Sequence, residues 1–501
     1  LEADVPGYIK PANGHHWRYT HSRGPHLWMG DTSYGMAWLD KAAFERMAER
    51  RGEQGFNHIR GYAIGRADFR GATFKSPEQP DHSFYRVLDE RIQFLNSKGM
   101  FFDAILGHDR NHLREAFPTR TQRERYLRYM VARYSAFHVT WQITQEFEEY
   151  DKSRELMKEM GDMLKRMDPY GHPRSAHSLA SSSPLSADGW MDYLMYQSPD
   201  DALGAIEHQL HALPAVNAGF AFEDSGAGKT DPHHVDSDTF RRRLWNATMN
   251  GQYPVFGNTG TYGSTKLAYD DKHLSSPGSA AMTAWQQFMS KTRFWELEPY
   301  FDLDGGRALA LPGVEYIVYV ENPSGPIEIR LEKRGYDVRW MNPATGELTP
   351  VKDFRSDKFV IDPPSSSHDW ILHISSDGRK ESMLRSYKFE SRPFLMQEVE
   401  MARTRAPFEI SLPSADEVSA SKPAPYEVKP KRESRGTRSM MYLWTGEVAT
   451  VNSGARVLGT GPSGTLKVPR EFAPGVMNMR VYGMNALGKV YAVDRILQVL
   501  P

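Results

Sequence analysis

The stretch WQITQEFEEYD, residues 141–151, sets Glu146, Glu148, Glu149 and Asp151 within six positions of one another. Other acids and histidines close apolar runs singly: Asp31 in HLWMGD, His108 and Asp109 in MFFDAILGHD, His177 in PRSAHS and Glu223 in AVNAGFAFE. Two carboxyl groups facing each other across a cleft can hydrolyse a glycosidic bond. One protonates the leaving oxygen, and the other attacks the anomeric carbon or activates water. The question is whether the fold brings two of these acids together.

From residue 24 to 298, strand-like runs alternate with amphipathic helical stretches. The runs are 26–31, 56–64, 100–109, 139–146, 173–178, 192–198, 215–223 and 253–260. Helical patterns lie at 41–55, 121–137, 153–168, 236–251 and 279–295. Eight strand–helix units over this length predict a (β/α)8 TIM barrel, whose site lies at the C-terminal ends of the strands. A doubly wound sheet would call for a glycine-rich phosphate turn, which is missing. Short alternating runs after FDLDGG predict two small β-sandwich domains. The expected division is a barrel over 1–300, a sandwich over 301–376 and an Ig-like sandwich over 377–501. The Pro/Ser/Lys-rich stretch 413–436 reads as a loop or linker, and GTGPSGTLKV (459–468) as a hairpin.

Alternation sorts the acids of the opening stretch. On the fourth strand Val139, Trp141 and Ile143 share the apolar face, and Thr140, Gln142, Thr144 and Glu146 share the polar one. In a barrel wrapped by helices the polar face turns to the lumen, so Glu146 is the first acid to emerge there. Glu148, Glu149 and Asp151 then read as charges of the following loop. Glu223 ends the seventh strand, across an eight-stranded ring from the fourth. Binding candidates are Asp31, His58, Arg60, His108, Asp109, His177, Gln197 and Tyr262, with Tyr262 placed to stack on a sugar.

Composition narrows the partners. The formal net charge of -1 offers no bulk attraction for nucleic acid or an anionic membrane. No run approaches the 18 apolar residues of a membrane span. The absence of cysteine excludes disulfides, thiolate zinc sites and cysteine nucleophiles. DPHHVDSD (231–238) lacks a helical His-x-x-x-His spacing, so no metal and no cofactor is expected. The lack of cysteine and the Leu-Glu start suggest an exported bacterial protein, secreted, periplasmic or on the cell surface, with its signal peptide removed. Nothing in the sequence addresses oligomeric state.

LWMGDTSYGM (27–36), RRGEQGFNHIRGY (50–62), VARYSAFHVTWQITQE (131–146) and MNGQYPVFGNTGTYG (249–263) together resemble the apiosidase-like glycoside hydrolases. VRWMNPATGEL (338–348) and PPSSSHDWILHI (363–374) are similar to the end of the β-sandwich that often follows that barrel. That sandwich carries a collagen-binding label, and a β-sandwich does not specify a ligand. The resemblance covers about residues 10–375 and implies a hydrolase acting on a carbohydrate, with Glu146 as general acid/base. Many members of the wider clan carry Asn-Glu at this place, the Asn holding the sugar 2-hydroxyl. Gln145 would imitate it only if a bulge turned it inward beside Glu146. At the seventh strand the family pattern has two acids four positions apart. Here these places hold Gly219 and Glu223, which leaves Glu223 as the candidate nucleophile. Loss of the acid at Gly219 keeps a second reading open, a non-catalytic carbohydrate- or matrix-binding protein on a barrel scaffold.

Overall fold

The computed structural model describes residues 6–226, 233–262, 269–376, 405–431 and 440–501. Eight parallel strands form one sheet: β1 (Gly30–Thr32), β2 (His58–Tyr62), β3 (Phe101–Ile105), β4 (Val139–Gln142), β5 (Arg174–Ser175), β6 (Leu194–Tyr196), β7 (Ala215–Asn217) and β8 (Gln252–Phe256). The pairing runs β6-β7-β8-β1-β2-β3-β4-β5. Hydrogen bonds from Asp192 N to Arg174 O (2.9 Å) and from Ser175 Oγ to Tyr193 O (2.7 Å) carry it from β5 back to β6. The chain is thus a (β/α)8 barrel, with strands shorter at both ends than the apolar runs suggest.

Helices Lys41–Glu53, His82–Ser97, Arg120–Tyr134, Ser153–Met167, Asp201–Leu210, Ser237–Met249 and Pro277–Met289 surround the sheet. Their starts follow local chemistry. Thr119 and Gln122 make a reciprocal capping box, and Asp81, Asp200, Asp236 and Ser276 each accept an N-terminal backbone amide. In His82–Ser97, which periodicity had not marked, Tyr85, Leu88, Ile92 and Leu95 recur at helical spacing and are buried. The fifth unit departs from expectation. Between β5 and β6 the described chain makes only the 3-10 turn Ser183–Asp188, with Pro184 in its first turn.

The lumen is packed in polar layers. On β2, alternation turns both His58 and Arg60 inward. His58 Nδ1 meets Asp103 Oδ1 (2.8 Å), which also accepts from Thr140 Oγ1 (2.8 Å), and the His58 ring stacks on Trp28 at 3.6 Å. One level higher, Arg60 Nε donates to Gln142 Oε1 (2.7 Å). Trp141 points outward, its indole NH donating to Asp168 (2.9 Å). The strand-4 parity therefore holds as far as Gln142.

Residues 298–376 form one seven-stranded antiparallel sheet in continuous hydrogen bonding, with the long pair Ile327–Met341 and Leu348–Ile361 bulged at two places. Further on, the three-stranded sheet holding Phe408–Ser411, Ala424–Pro430 and Ser463–Leu466 shares a core with a five-stranded one. Tyr426 of the first lies 4.3 Å from Trp444 of the second, between ring centroids. Two readings of this region change. Residues 413–431 are not a linker throughout: Ala424, Tyr426 and Val428 are buried on alternate positions, and Pro425, Glu427 and Lys429 face out. The 459–468 stretch is not a hairpin, because Arg456–Thr460 pairs into one sheet and Ser463–Leu466 into the other. Residues 377–404, which hold the strand-like run LRSYKFES (384–391), lie outside the described residues.

Candidate active site

At the mouth of the barrel the alternation of β4 breaks. Ile143 N and Gln145 N donate to Ser175 O (2.9 Å) and Gly107 O (2.9 Å), binding the chain to its two neighbours as it turns. Gln145 swings into the lumen, where its Oε1 accepts from Arg60 Nη2 and from Gln142 Nε2 (3.1 Å), and its Nε2 donates to the Tyr34 hydroxyl (3.0 Å). Glu146 then adopts φ +43°, in the left-handed region that L-residues rarely enter. The irregularity that an inward Gln145 required is present.

Glu146 is half-buried, and its Oε1 accepts from the Gln197 amide (3.1 Å). Burial raises its carboxyl above the ordinary range, with the Glu149 and Asp109 carboxylates pushing the same way and the Gln197 hydrogen bond opposing. Carboxylate oxygens of Asp109, Glu146 and Glu149 all lie within 4.8 Å of one another. Asp109 is ion-paired to Arg66 Nη1 at 2.5 Å.

Gln197 accounts for the glycine on the far side. A Cβ on Gly219 would stand 2.6 Å from Gln197 Cγ and 3.0 Å from its Cα, so any larger residue there would displace the side chain that holds Glu146. Glu223 is spent differently. Its Oε1 accepts from Gly278 N (2.6 Å), at the start of the outer helix Pro277–Met289, and its Oε2 accepts from Asn258 Nδ2 (2.9 Å). At 2% exposure it sits as a counter-charge to a helix N-terminus. Gly278 is what lets it so close, since a Cβ there would lie 2.6 Å from Glu223 Cδ.

The binding candidates divide by depth. Arg60, Gln145, Gln197, Asp109 and Tyr262 are at the mouth. Asp31 is fully buried and faces Arg51 of the first helix (2.7 Å). Burial raises its carboxyl, opposed by that guanidinium. His58 lies deeper in the lumen. His108 Nε2 donates to Ile64 O (2.8 Å), stacks on Tyr62 at 3.7 Å, and is lowered by burial to about 4, so it is neutral. His177 is fully buried with neither ring nitrogen hydrogen-bonded among the described residues, and burial, reinforced by Arg60, holds it well below its ordinary value. His234 of the His/Asp-rich segment meets Ser225 O (3.0 Å); residues 231 and 232 lie outside the described chain.

Sequence reading missed an aromatic wall. Tyr34 stacks on Tyr62 at 5.0 Å and meets Tyr262 edge-on at 6.0 Å, and Phe222 packs on Tyr262 at 4.8 Å. Tyr62 follows His58 and Arg60 at two-residue spacing, a signal that was available. Glu148 was also misread as a loop charge. It is half-buried, accepts from Leu179 N (3.0 Å), and lines a cavity of about 630 Å3 that includes Ser198, Asp200, Arg456 and Lys467. Burial pushes its carboxyl up to about 7, with Arg456 opposing.

The family described as "Apiosidase-like, catalytic domain" matches residues 12–296, more than half of the chain. The chain belongs to this family. It is a glycoside hydrolase of the apiosidase-like group, as the resemblance implied. Solved structures agree on the fold. A glycoside hydrolase family 5 protein from Bacteroides vulgatus aligns with TM-score 0.64 at 16% identity, over 74% of this chain and 95% of that one. Another, described as a glycoside hydrolase, aligns with TM-score 0.64 at 16% identity over 74% and 98%. Among curated proteins none matches the chain. Among the described residues of this apiosidase-like protein, no helix is long and apolar enough to cross a membrane.

Proposed function

We propose that the chain cleaves a glycosidic bond in a complex polysaccharide or oligosaccharide with retention of configuration, and that Glu146 is its acid/base. The observation that carries this is the environment of Glu146: a half-buried carboxyl with a raised pKa, held by Gln197 and facing a second carboxylate. A raised carboxyl keeps the proton it must give to the leaving oxygen. The contacts favour Asp109 over Glu223 as that second group. Asp109 lies within 4.8 Å of Glu146, oxygen to oxygen, and is positioned there by the Arg66 guanidinium. Glu223 has both oxygens engaged at a helix terminus. A pair this close supports retention, since an inverting site holds its carboxyls roughly 6.5–9.5 Å apart to admit the attacking water. Asp109 then attacks the anomeric carbon as Glu146 protonates the leaving oxygen. Glu146 next takes a proton from the water that frees the sugar.

Gln145 and Arg60 would meet sugar hydroxyls, and the half-buried Tyr34 and Tyr262, with Tyr62 packed behind Tyr34, would offer aromatic faces to a ring. His177, whose ring nitrogens lack partners, is suited to a water or a hydroxyl. We propose export as well, on the lack of cysteine, and an exported enzyme would meet a polymeric substrate. Gly219 supports the second reading, a carbohydrate-binding barrel without catalysis, because Gln197 fills the space a seventh-strand carboxylate would use.

Reducing-end release from plant, algal and bacterial polysaccharides by wild type, Glu146→Gln, Asp109→Asn and Glu223→Gln separates these. The proposal expects activity in wild type and Glu223→Gln, and its loss in the other two. Full activity in Asp109→Asn would return the nucleophile role to Glu223. A wild type that binds a polysaccharide but releases no reducing ends from it would favour the binding reading.

A further inference from the structure

On the opposite end of the barrel, three chain segments meet, two bringing imidazoles onto a carboxylate of the third. The first is the hairpin Ile9–Ala12/His16–Tyr19, whose turn residues Asn13 and Gly14 have φ +49° and +72° and which presents His15 and His16 side by side. The second is the last turn of helix Asp201–Leu210, which carries His208. The third is Glu298, first residue of the strand Glu298–Tyr300 that leaves the barrel. His15 Nδ1 lies 3.0 Å from Glu298 Oε2, His208 Nε2 lies 2.7 Å from the same oxygen, and His16 Nε2 lies 3.2 Å from Oε1. All three imidazoles are buried.

His15 makes this more than a hydrogen-bonded cluster. Its Nε2 faces the carbonyl oxygen of His211 at 2.8 Å, and its Nδ1 faces the Glu298 carboxylate. Both neighbours only accept. A neutral imidazole has one N–H, so one contact sets a lone pair against a lone pair. A cation lying between Nδ1 and the carboxylate removes that clash. This arrangement has the form of a metal ligand. An imidazole that binds a metal through one nitrogen gives its other N–H to a carbonyl or carboxylate, which fixes the tautomer. His211 O supplies that partner for His15, and the Tyr253 hydroxyl stands 2.9 Å from His16 Nδ1. The helix C-terminus adds a favourable field for a cation.

We propose that His15 Nδ1, His208 Nε2 and Glu298 bind one zinc-like divalent ion, with His16 beside the second carboxylate oxygen. Ligand atoms of the three lie within 4.8 Å of one another. Tetrahedral zinc at about 2.0–2.1 Å from nitrogen asks for ligand separations of roughly 3.3 Å, so the site opens by a few tenths of an ångström. Bound there, the ion clasps the N-terminal hairpin, the sixth-unit helix and the first strand beyond the barrel. It lies at the end of the barrel away from Glu146, and its role is structural.

The test uses the full chain without a histidine tag, freed of metal with a chelator. Zinc chloride titrated calorimetrically is expected to bind at one equivalent with micromolar or tighter affinity and to raise Tm by at least about 3 °C. Cobalt(II) is expected to give the visible absorption of a four-coordinate nitrogen/oxygen site, a readout that needs no variant. His208→Gln and Glu298→Gln are expected to lose both signals, and exposed His82→Gln to keep them. Absence of stoichiometric zinc binding, an octahedral cobalt spectrum, or binding that survives His208→Gln in a folded protein would overturn the proposal.

Discussion

Glu146 holds a left-handed backbone conformation that costs a non-glycine residue about 1–2 kcal/mol. That strain turns its carboxyl to the mouth and leaves Gln145 in the lumen. The hydrogen bond from Gln197 stabilises the charged carboxylate, so removing it should raise the pKa further. A general acid acts while protonated, and activity falls as pH rises through its pKa. The alkaline limb of kcat in Gln197→Ala should therefore move to higher pH than in wild type, and an unmoved limb would separate Gln197 from proton transfer. Glu148 gives a stability prediction. Its folded carboxyl is raised from 4.5 to about 7, so the unfolded chain ionises first and stability declines as pH rises across that window. Urea denaturation should find Glu148→Gln more stable than wild type at pH 8, by about 1 kcal/mol after allowance for its partial exposure, and little different at pH 4. Alternation made His58, Arg60 and Gln142 legible as lumen residues. It failed at Gln145, because β4 ends at Gln142 and the next residues are bonded across to Gly107 and Ser175.

The elements explain why acids of similar sequence context have different fates. Asp31, inside β1, and Glu223, six residues beyond the end of β7, each turn to a helix: Asp31 to Arg51, Glu223 to Gly278, 55 residues further along the chain. Periodicity reports which face a residue occupies and says nothing of a partner so distant. The strand–helix alternation itself was readable, since it rests on local spacing and capping residues. The fifth unit lost its helix where SSSPL substitutes a 3-10 turn. Glu223→Gln should weaken the anchoring of Pro277–Met289 and cost about 1–3 kcal/mol in chemical denaturation, with kcat changed by less than about tenfold. A collapse of kcat with stability intact would make Glu223 catalytic.

Across the whole molecule, the barrel is locked to the sheet that follows it. Arg241 of helix Ser237–Met249 donates to Asp369 at 2.6 Å, and Tyr319 of the sheet donates to the same carboxylate. Asp369 is fully buried. Asp369→Ala leaves the buried Arg241 guanidinium with only the exposed Asp238 and should cost about 3 kcal/mol by denaturation, part of which Arg241→Met in the same chain should recover. Equal losses in single and double variants would mean that the packing, rather than the charge, was removed. The C-terminal sheets meet the barrel beside the mouth, where Thr460 Oγ1 donates to Asp200 (2.5 Å) and Arg456 helps to line the cavity that holds Glu148. This meeting was illegible in the sequence, because neither surface carries a periodic signal of its own.

The central claim is that Glu146 donates the proton to the departing sugar oxygen. Its most direct test compares Glu146→Gln with wild type on a cleaved polysaccharide and on an aryl glycoside of the same sugar with an acidic phenol. The account predicts a loss of about 10²–10⁴-fold on the polysaccharide, with first-step cleavage of the activated glycoside largely retained, because that leaving group needs no proton. Equal losses on both substrates, or full activity on the polysaccharide, would contradict it.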